Sequence, residues 1–141
     1  MRQFFLLFAI FLILTVSLIA QKDTVEIAAV GDIMLGTDYP ERKYLPPGDN
    51  CDILLESVRP HIANSDIAFA NLEGAFNDGA ELVKRCKDPS VCYAFRTPQQ
   101  YFSCITKVGL NLFSLANNHM FDFGMPAVDS TLALADSSGT Y

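Results

Sequence analysis

Three short apolar runs, each ending in a small or polar residue and each followed by helix punctuation, leave few folds open to this chain. Thr24-Val-Glu-Ile-Ala-Ala-Val30 stops at Gly31, Asp66-Ile-Ala-Phe-Ala70 stops at Asn71, and Leu110-Asn-Leu-Phe-Ser-Leu115 leads into Ala116 and Asn117. Their β-branched and aromatic content predicts buried strands. Between them, Asp49 or Asn50 can cap a helix running to about Ala63, with Ile53, Leu54 and Val58 on one face and Pro60 near its end. Thr97 caps a second helix, with Pro98 in its first turn and Gly109 closing it. A last helix spans roughly Met125 to Asp136. Residues 31–50 and 71–96 read as loops, dense in Gly, Pro and charge. Strand alternating with helix is the pattern of parallel βαβ units, whose sheets are covered on both faces and therefore carry continuous apolar runs. With three strands and a chain that stops where a fourth would begin, the expectation is part of an α/β domain.

Composition narrows the function classes. The chain has 141 residues, room for at most one ordinary domain, and a formal net charge of −6. Its bases are scattered apart from Lys84, Arg85 and Lys87, so no basic face is offered to a phosphate backbone and no nucleic-acid partner is expected. Residues 1–20 read as a signal peptide: Arg2 supplies a positive start, Phe4 to Ile19 is almost unbroken apolar sequence, and Ala20 stands at the natural cut point. If it is not cut, residues 4–19 would instead associate the chain with a membrane. Either way the chain is exported, to the periplasm, the cell surface or beyond. Four cysteines suit that compartment. Cys86 and Cys92 bracket a turn-forming stretch and can bridge locally; Cys51 and Cys104 then either pair with each other or stay reduced on buried helix faces.

The chemistry lies at the strand ends. Gly31-Asp32 follows the first run, Asn71-Leu72-Glu73-Gly74 the second and Asn117-Asn118-His119 the third. In a parallel sheet these positions are neighbours at the carboxyl edge, where α/β proteins build their sites. Carboxylates, amides and an imidazole would converge there, a set of oxygen and nitrogen donors suited to a hard or borderline divalent cation. Each element also has a bland reading: Asn71 can cap a turn, Glu73 can sit solvated in a loop, and Asn117-Asn118 can supply the left-handed backbone of a turn. His61, beside Pro60, reads as a surface residue. His119 differs because Asp122 lies three residues on, close enough to orient an imidazole.

Ala28-Ala-Val-Gly-Asp-Ile-Met-Leu-Gly36, Asn71-Leu-Glu-Gly74 and Ser114-Leu-Ala-Asn-Asn-His-Met-Phe-Asp-Phe-Gly124, in that order, resemble the CapA family. This is the poly-gamma-glutamate capsule synthesis group, related to calcineurin-like metallophosphoesterases. The resemblance covers nearly all of residues 24–141 and includes Phe95-Arg96-Thr97-Pro98. It implies that residues 21–141 form the N-terminal part of a metallophosphoesterase-like α/β sandwich. It further implies that Asp32, Glu73 and Asn118 are ligands of two divalent metal ions, Mn²⁺ or Zn²⁺. His119 would then protonate a leaving group while Asp122 holds its other ring nitrogen. Met34 departs from the pattern, since the metallophosphoesterases carry a histidine there, and the chain has only two histidines in all.

The expected function is therefore a metal-dependent hydrolase-type site acting on an amide or phosphoester bond in capsule, poly-gamma-glutamate or other surface-polymer metabolism. Its substrate would be an anionic polymer, a peptide or a phosphoester. The residues present would be inactive alone for want of further C-terminal ligands. The alternatives are a non-catalytic exported binding or scaffold module, favoured by Met34 and the scarcity of histidine, and an inactive fragment.

Overall fold

The computed structural model describes residues 24–141, so the segment read as an export signal or membrane anchor lies outside the described residues. In chain order the elements are β1 (Ile27–Ile33), α1 (Asp52–Leu55), α2 (Arg59–Ile62), β2 (Ile67–Leu72), β3 (Ala75–Phe76), β4 (Arg96–Thr97), α3 (Phe102–Lys107), β5 (Leu112–Ser114) and α4 (Gly124–Ser138). β1, β2 and β5 form a parallel sheet in that order. The expected α/β architecture with βαβ connections is thus present. Beyond α4, the Tyr141 N–H donates to the Asn111 carbonyl at 3.0 Å and the Tyr141 carbonyl accepts from Phe113 N–H at 2.6 Å, so the backbone here lies along β5 as a parallel strand does. None of the described helices is long and apolar enough to cross a membrane.

Several boundaries differ from the sequence reading, each for a local reason. The helix expected from residue 50 to 63 is two short helices. Pro60 has no N–H to give the preceding turn and its ring crowds a carbonyl there, so α1 stops at Leu55 and α2 begins anew with Pro60 in its first turn. The buried face also differs from the one expected. Cys51, Leu55 and Ile62 enter the core, while Ile53, Leu54 and Val58 face solvent. Thr97 is not a helix cap. It belongs to β4, its hydroxyl donates to the Gly36 carbonyl at 3.0 Å, and α3 is entered through a 3-10 turn at Gln99–Tyr101. Gly109 does close α3, with φ of 110°; a Cβ there would come within 2.9 Å of the Ala63 Cα at the end of α2.

β1 was expected to be buried and is largely exposed, with Ile27 63 % accessible. It lies at the edge of the described sheet, where a strand keeps one flank open. The stretch 71–96, expected to be loop, contributes β3, which pairs in parallel with β4 through Ala75–Arg96 and Phe76–Thr97. Strands of two residues are too short to show any pattern in the sequence.

The core lies between the β3–β4 pair, α3 and α4. Phe76, Tyr101, Phe102, Ile105 and Leu110 are fully buried there, and the Phe76 and Phe102 rings meet edge to face at 5.2 Å. Burial pushes the Tyr101 phenol up from its ordinary pKa. α4 is pinned onto β3 by two side chains. Phe76 N–H donates to the Thr131 hydroxyl at 2.8 Å, and the Ser130 hydroxyl donates to the Phe76 carbonyl at 2.7 Å. Cys51 and Cys104 are bonded to each other, not reduced, and tie the start of α1 to α3 across 53 residues of chain; Cys86 and Cys92 close the small loop.

Candidate active site at the strand ends

Register brings the first two motifs together. Asp32 pairs with Asn71 across β1 and β2, and Asn71 pairs with Ser114 across β2 and β5. Both β1 and β2 run two or three residues further than their apolar runs, so Asp32 and Asn71 sit within the last strand residues, not in loops. The Asn71 amide N–H group donates to Asp32 Oδ1 at 2.8 Å and to Glu73 Oε2 at 3.4 Å. One amide therefore joins the two carboxylates. Asp32 itself is exposed and Glu73 half-buried.

The turn after β5 is built by Asn117. Its side-chain oxygen accepts the backbone N–H groups of His119 at 2.9 Å and Met120 at 3.0 Å, and its amide donates to the Leu72 carbonyl. Neither Asn117 nor Asn118 has the left-handed backbone expected of them; Asn117 makes the turn through its side chain, and so locks the backbone from which His119 projects toward β2.

His119 is held from three sides. Nδ1 lies 2.7 Å from Asp122 Oδ2, the Phe95 ring centre lies 4.3 Å from the imidazole centre, and Lys84 Nζ stands 3.1 Å from Nδ1. With the Nδ1 proton given to Asp122, Nε2 is left facing Glu73 Oε1 at 3.8 Å, beyond direct hydrogen-bond reach. Asp122 is 1 % exposed, and three groups answer its charge. His119 and the Phe95 backbone N–H, at 3.1 Å, both bond Oδ2. Lys84 Nζ lies 2.8 Å from Oδ1, off the hydrogen-bond line, so this contact compensates charge and leaves that oxygen without a hydrogen bond. The Lys84 arm is fixed in turn, because the backbone N–H groups of Val83 and Lys84 both donate to the Asp122 carbonyl, at 2.9 and 3.0 Å.

Lys84 and Phe95 are site residues that sequence reasoning missed. Lys84 stood out only as one of a basic cluster, and nothing in its neighbourhood points 38 positions ahead to Asp122. Gly74 explains how Phe95 reaches the histidine. A Cβ at Gly74 would lie 2.9 Å from Phe95 Cβ and 3.0 Å from its carbonyl oxygen, so only glycine lets β2 and the Phe95 segment come this close.

Of the five residues implicated by sequence, His119, Asp122 and Glu73 are drawn together directly, and Asp32 joins them through Asn71. Asn118 is exposed and enters none of these contacts. The carboxylate and amide oxygens have the chemistry of ligands for a hard cation. Yet no three His, Cys, Asp or Glu side chains among the described residues converge well enough to hold one, and Asn71 places donor N–H groups against both carboxylates. Met34, beyond β1, offers no hard donor. The described residues by themselves do not make a complete two-metal centre.

No curated protein compared with the chain matches it. A family model does, over residues 26–140, and that span takes in all three strand-end motifs and both arms around Asp122. On that match the chain belongs to the family of bacterial capsule synthesis proteins called PGA_cap.

Proposed function

We propose that this chain works outside the cytoplasm in making or trimming a capsule polymer, and that its strand-end site acts on an amide or phosphoester bond by proton transfer through His119. The observation that carries the reading is the His119–Asp122–Lys84 set at the joined ends of three parallel strands. Asp122 fixes the ring and its tautomer, which leaves Nε2 to give a proton to a leaving atom or to take one from water. The positive ring formed in the second case is answered by Asp122 on one side and Glu73 on the other. Lys84 stands 2.8 Å from the buried Asp122 carboxyl group and holds it in place, which is a positioning role. Export is supported by two disulfides, bonds that persist in oxidising compartments, and by the composition of residues 1–20.

The test is turnover of a gamma-glutamyl amide and of a phosphodiester by the full-length protein and by its His119→Asn variant. A loss of about 10²- to 10⁴-fold on one of the two substrates is expected. Unchanged turnover would overturn the proton-transfer role. The incomplete ligand set favours the second reading, an exported module that binds without catalysis, and equal ligand binding with no turnover by either protein would select it.

Divalent metal ions, Mn²⁺ or Zn²⁺, remain part of the proposal only as weakly held partners of Asp32, Glu73 and Asn118. Calorimetric titration of residues 21–141 with Mn²⁺ is expected to give binding weaker than micromolar. Submicromolar affinity that survived both Glu73→Ala and Asn118→Ala would remove these residues from any metal site.

A further inference from the structure

Beside the imidazole lies a cleft of about 810 Å³ that no motif of the sequence points to. Met34, Tyr39 and Tyr44 line it from the chain that follows β1, and Leu82, Tyr93 and Phe95 line it from the two arms that hold Asp122. The Cys86–Cys92 bridge closes one side. Its volume is that of a site for a small molecule of several rings. Lys84 is the only charged residue in the lining, and Phe95 and Lys84 are also the residues that touch His119 and Asp122. The cleft and the proton-transfer set therefore share a wall.

Tyrosine dominates the lining. Tyr44 and Tyr93 are 52 % and 65 % exposed, so each presents a flat apolar ring together with a hydroxyl open to a ligand. Tyr39 is braced from behind by the Phe123 ring, edge to face at 5.2 Å. Such walls suit a ligand that is flat and apolar on its faces and rich in hydroxyls at its edges. An acyl chain would find the aliphatic residues Met34, Pro40, Leu82 and Ala94 scattered among tyrosines in an open cleft. A polyanion would meet a single ammonium, already paired with Asp122, on a chain of net charge −6. The contact to Asp122 is an ion pair off the hydrogen-bond line, so the ammonium keeps N–H groups to offer the cleft.

We propose that this cleft binds a short stretch of glycan, its pyranose rings against Tyr44 and Tyr93 and one ring carboxylate at Lys84. The inference rests on the reading of the strand-end site as the place of reaction, and it names the class of substrate presented there. The cleft would hold the sugar while the adjoining bond lies at Nε2 of His119.

The chain has five tyrosines and no tryptophan, and three of the five line the cleft, so tyrosine fluorescence reports its occupation directly. The full chain is titrated with a trisaccharide of one glucuronate and two neutral hexose rings, with the neutral sugar chitotriose, with tri-gamma-glutamate and with decanoate. The mono-uronate trisaccharide is expected to bind most tightly and chitotriose more weakly, with the other two silent. Tyr44→Ala and Tyr93→Ala should each weaken binding of the mono-uronate trisaccharide by about 3- to 10-fold, and the Tyr→Phe variants should retain most of it. Absence of a response to either sugar, an unchanged affinity in the double alanine variant, or tighter binding of decanoate or tri-gamma-glutamate would overturn the proposal. The same titration on His119→Asn separates the two claims: sugar binding that persists there supports the cleft whether or not turnover is lost, and retained turnover overturns only the reaction.

Discussion

The two halves of the strand-end site are built to different standards. On the β5 side, His119 and Asp122 are almost enclosed, and backbone N–H groups, an aromatic ring and an ammonium converge on them from two separate arms. On the β1 side, Asp32 is open to solvent and depends on one amide, that of Asn71, which also serves Glu73. The first half is fixed before any ligand arrives. The second can rearrange around what it binds, because its cross-link is a single neutral hydrogen-bonding group near water. A set geometry is what proton transfer needs, and an open, adaptable group of oxygen donors is what an ion can rearrange around.

This contrast can be broken by substitution. Lys84→Met should have the largest effect, because it leaves Asp122 buried without its cation. A loss of about 3 kcal/mol in unfolding free energy is expected, at the low end for a broken buried pair since Phe95 and His119 still bond the carboxylate. Urea unfolding of the two proteins measures it. Gly74→Ala comes next, at about 1–3 kcal/mol, because the added methyl must push the Phe95 segment away. It should also weaken turnover by moving the ring off His119, and the two readouts should fall together. Asn71→Ala should cost least, about 0.5–1 kcal/mol, since its exposed partner can turn to water. If Asn71→Ala proved as costly as Lys84→Met, the two halves would be equally built and the contrast would be wrong.

Much of this site was legible in the sequence for a geometric reason. Apolar runs mark strands, polar residues mark where they end, and parallel strands bring their ends to one edge; Asp32, Glu73 and His119 follow from that alone. His119 and Asp122 were legible as a pair because three residues separate them. Lys84 and Phe95 were not, because they reach the site from a stretch without periodicity and through contacts 38 and 27 positions distant. The fold misled where one residue overruled a pattern. Pro60 split a helix whose apolar spacing looked continuous, and the face that meets the core is that of Leu55, not that of Ile53. Thr97 has the composition of a cap, yet its hydroxyl is taken by Gly36 from a loop 61 residues away. Local preference sets what an element can be; a distant partner decides what it is.

The small Cys86–Cys92 ring leaves one more practical consequence. It closes just after Lys84 and just before Phe95, so the two arms are clamped at the point where they leave the site. Val91 inside the ring is 62 % exposed, and the Asp88 side chain accepts from the Ser90 N–H and hydroxyl within the same ring. The covalent closure thus insulates the sequence within the ring from the geometry outside it. Residues 87–91 form a cassette that can be exchanged for a tag or a dye, placing a reporter at the mouth of the cleft while the imidazole keeps its setting.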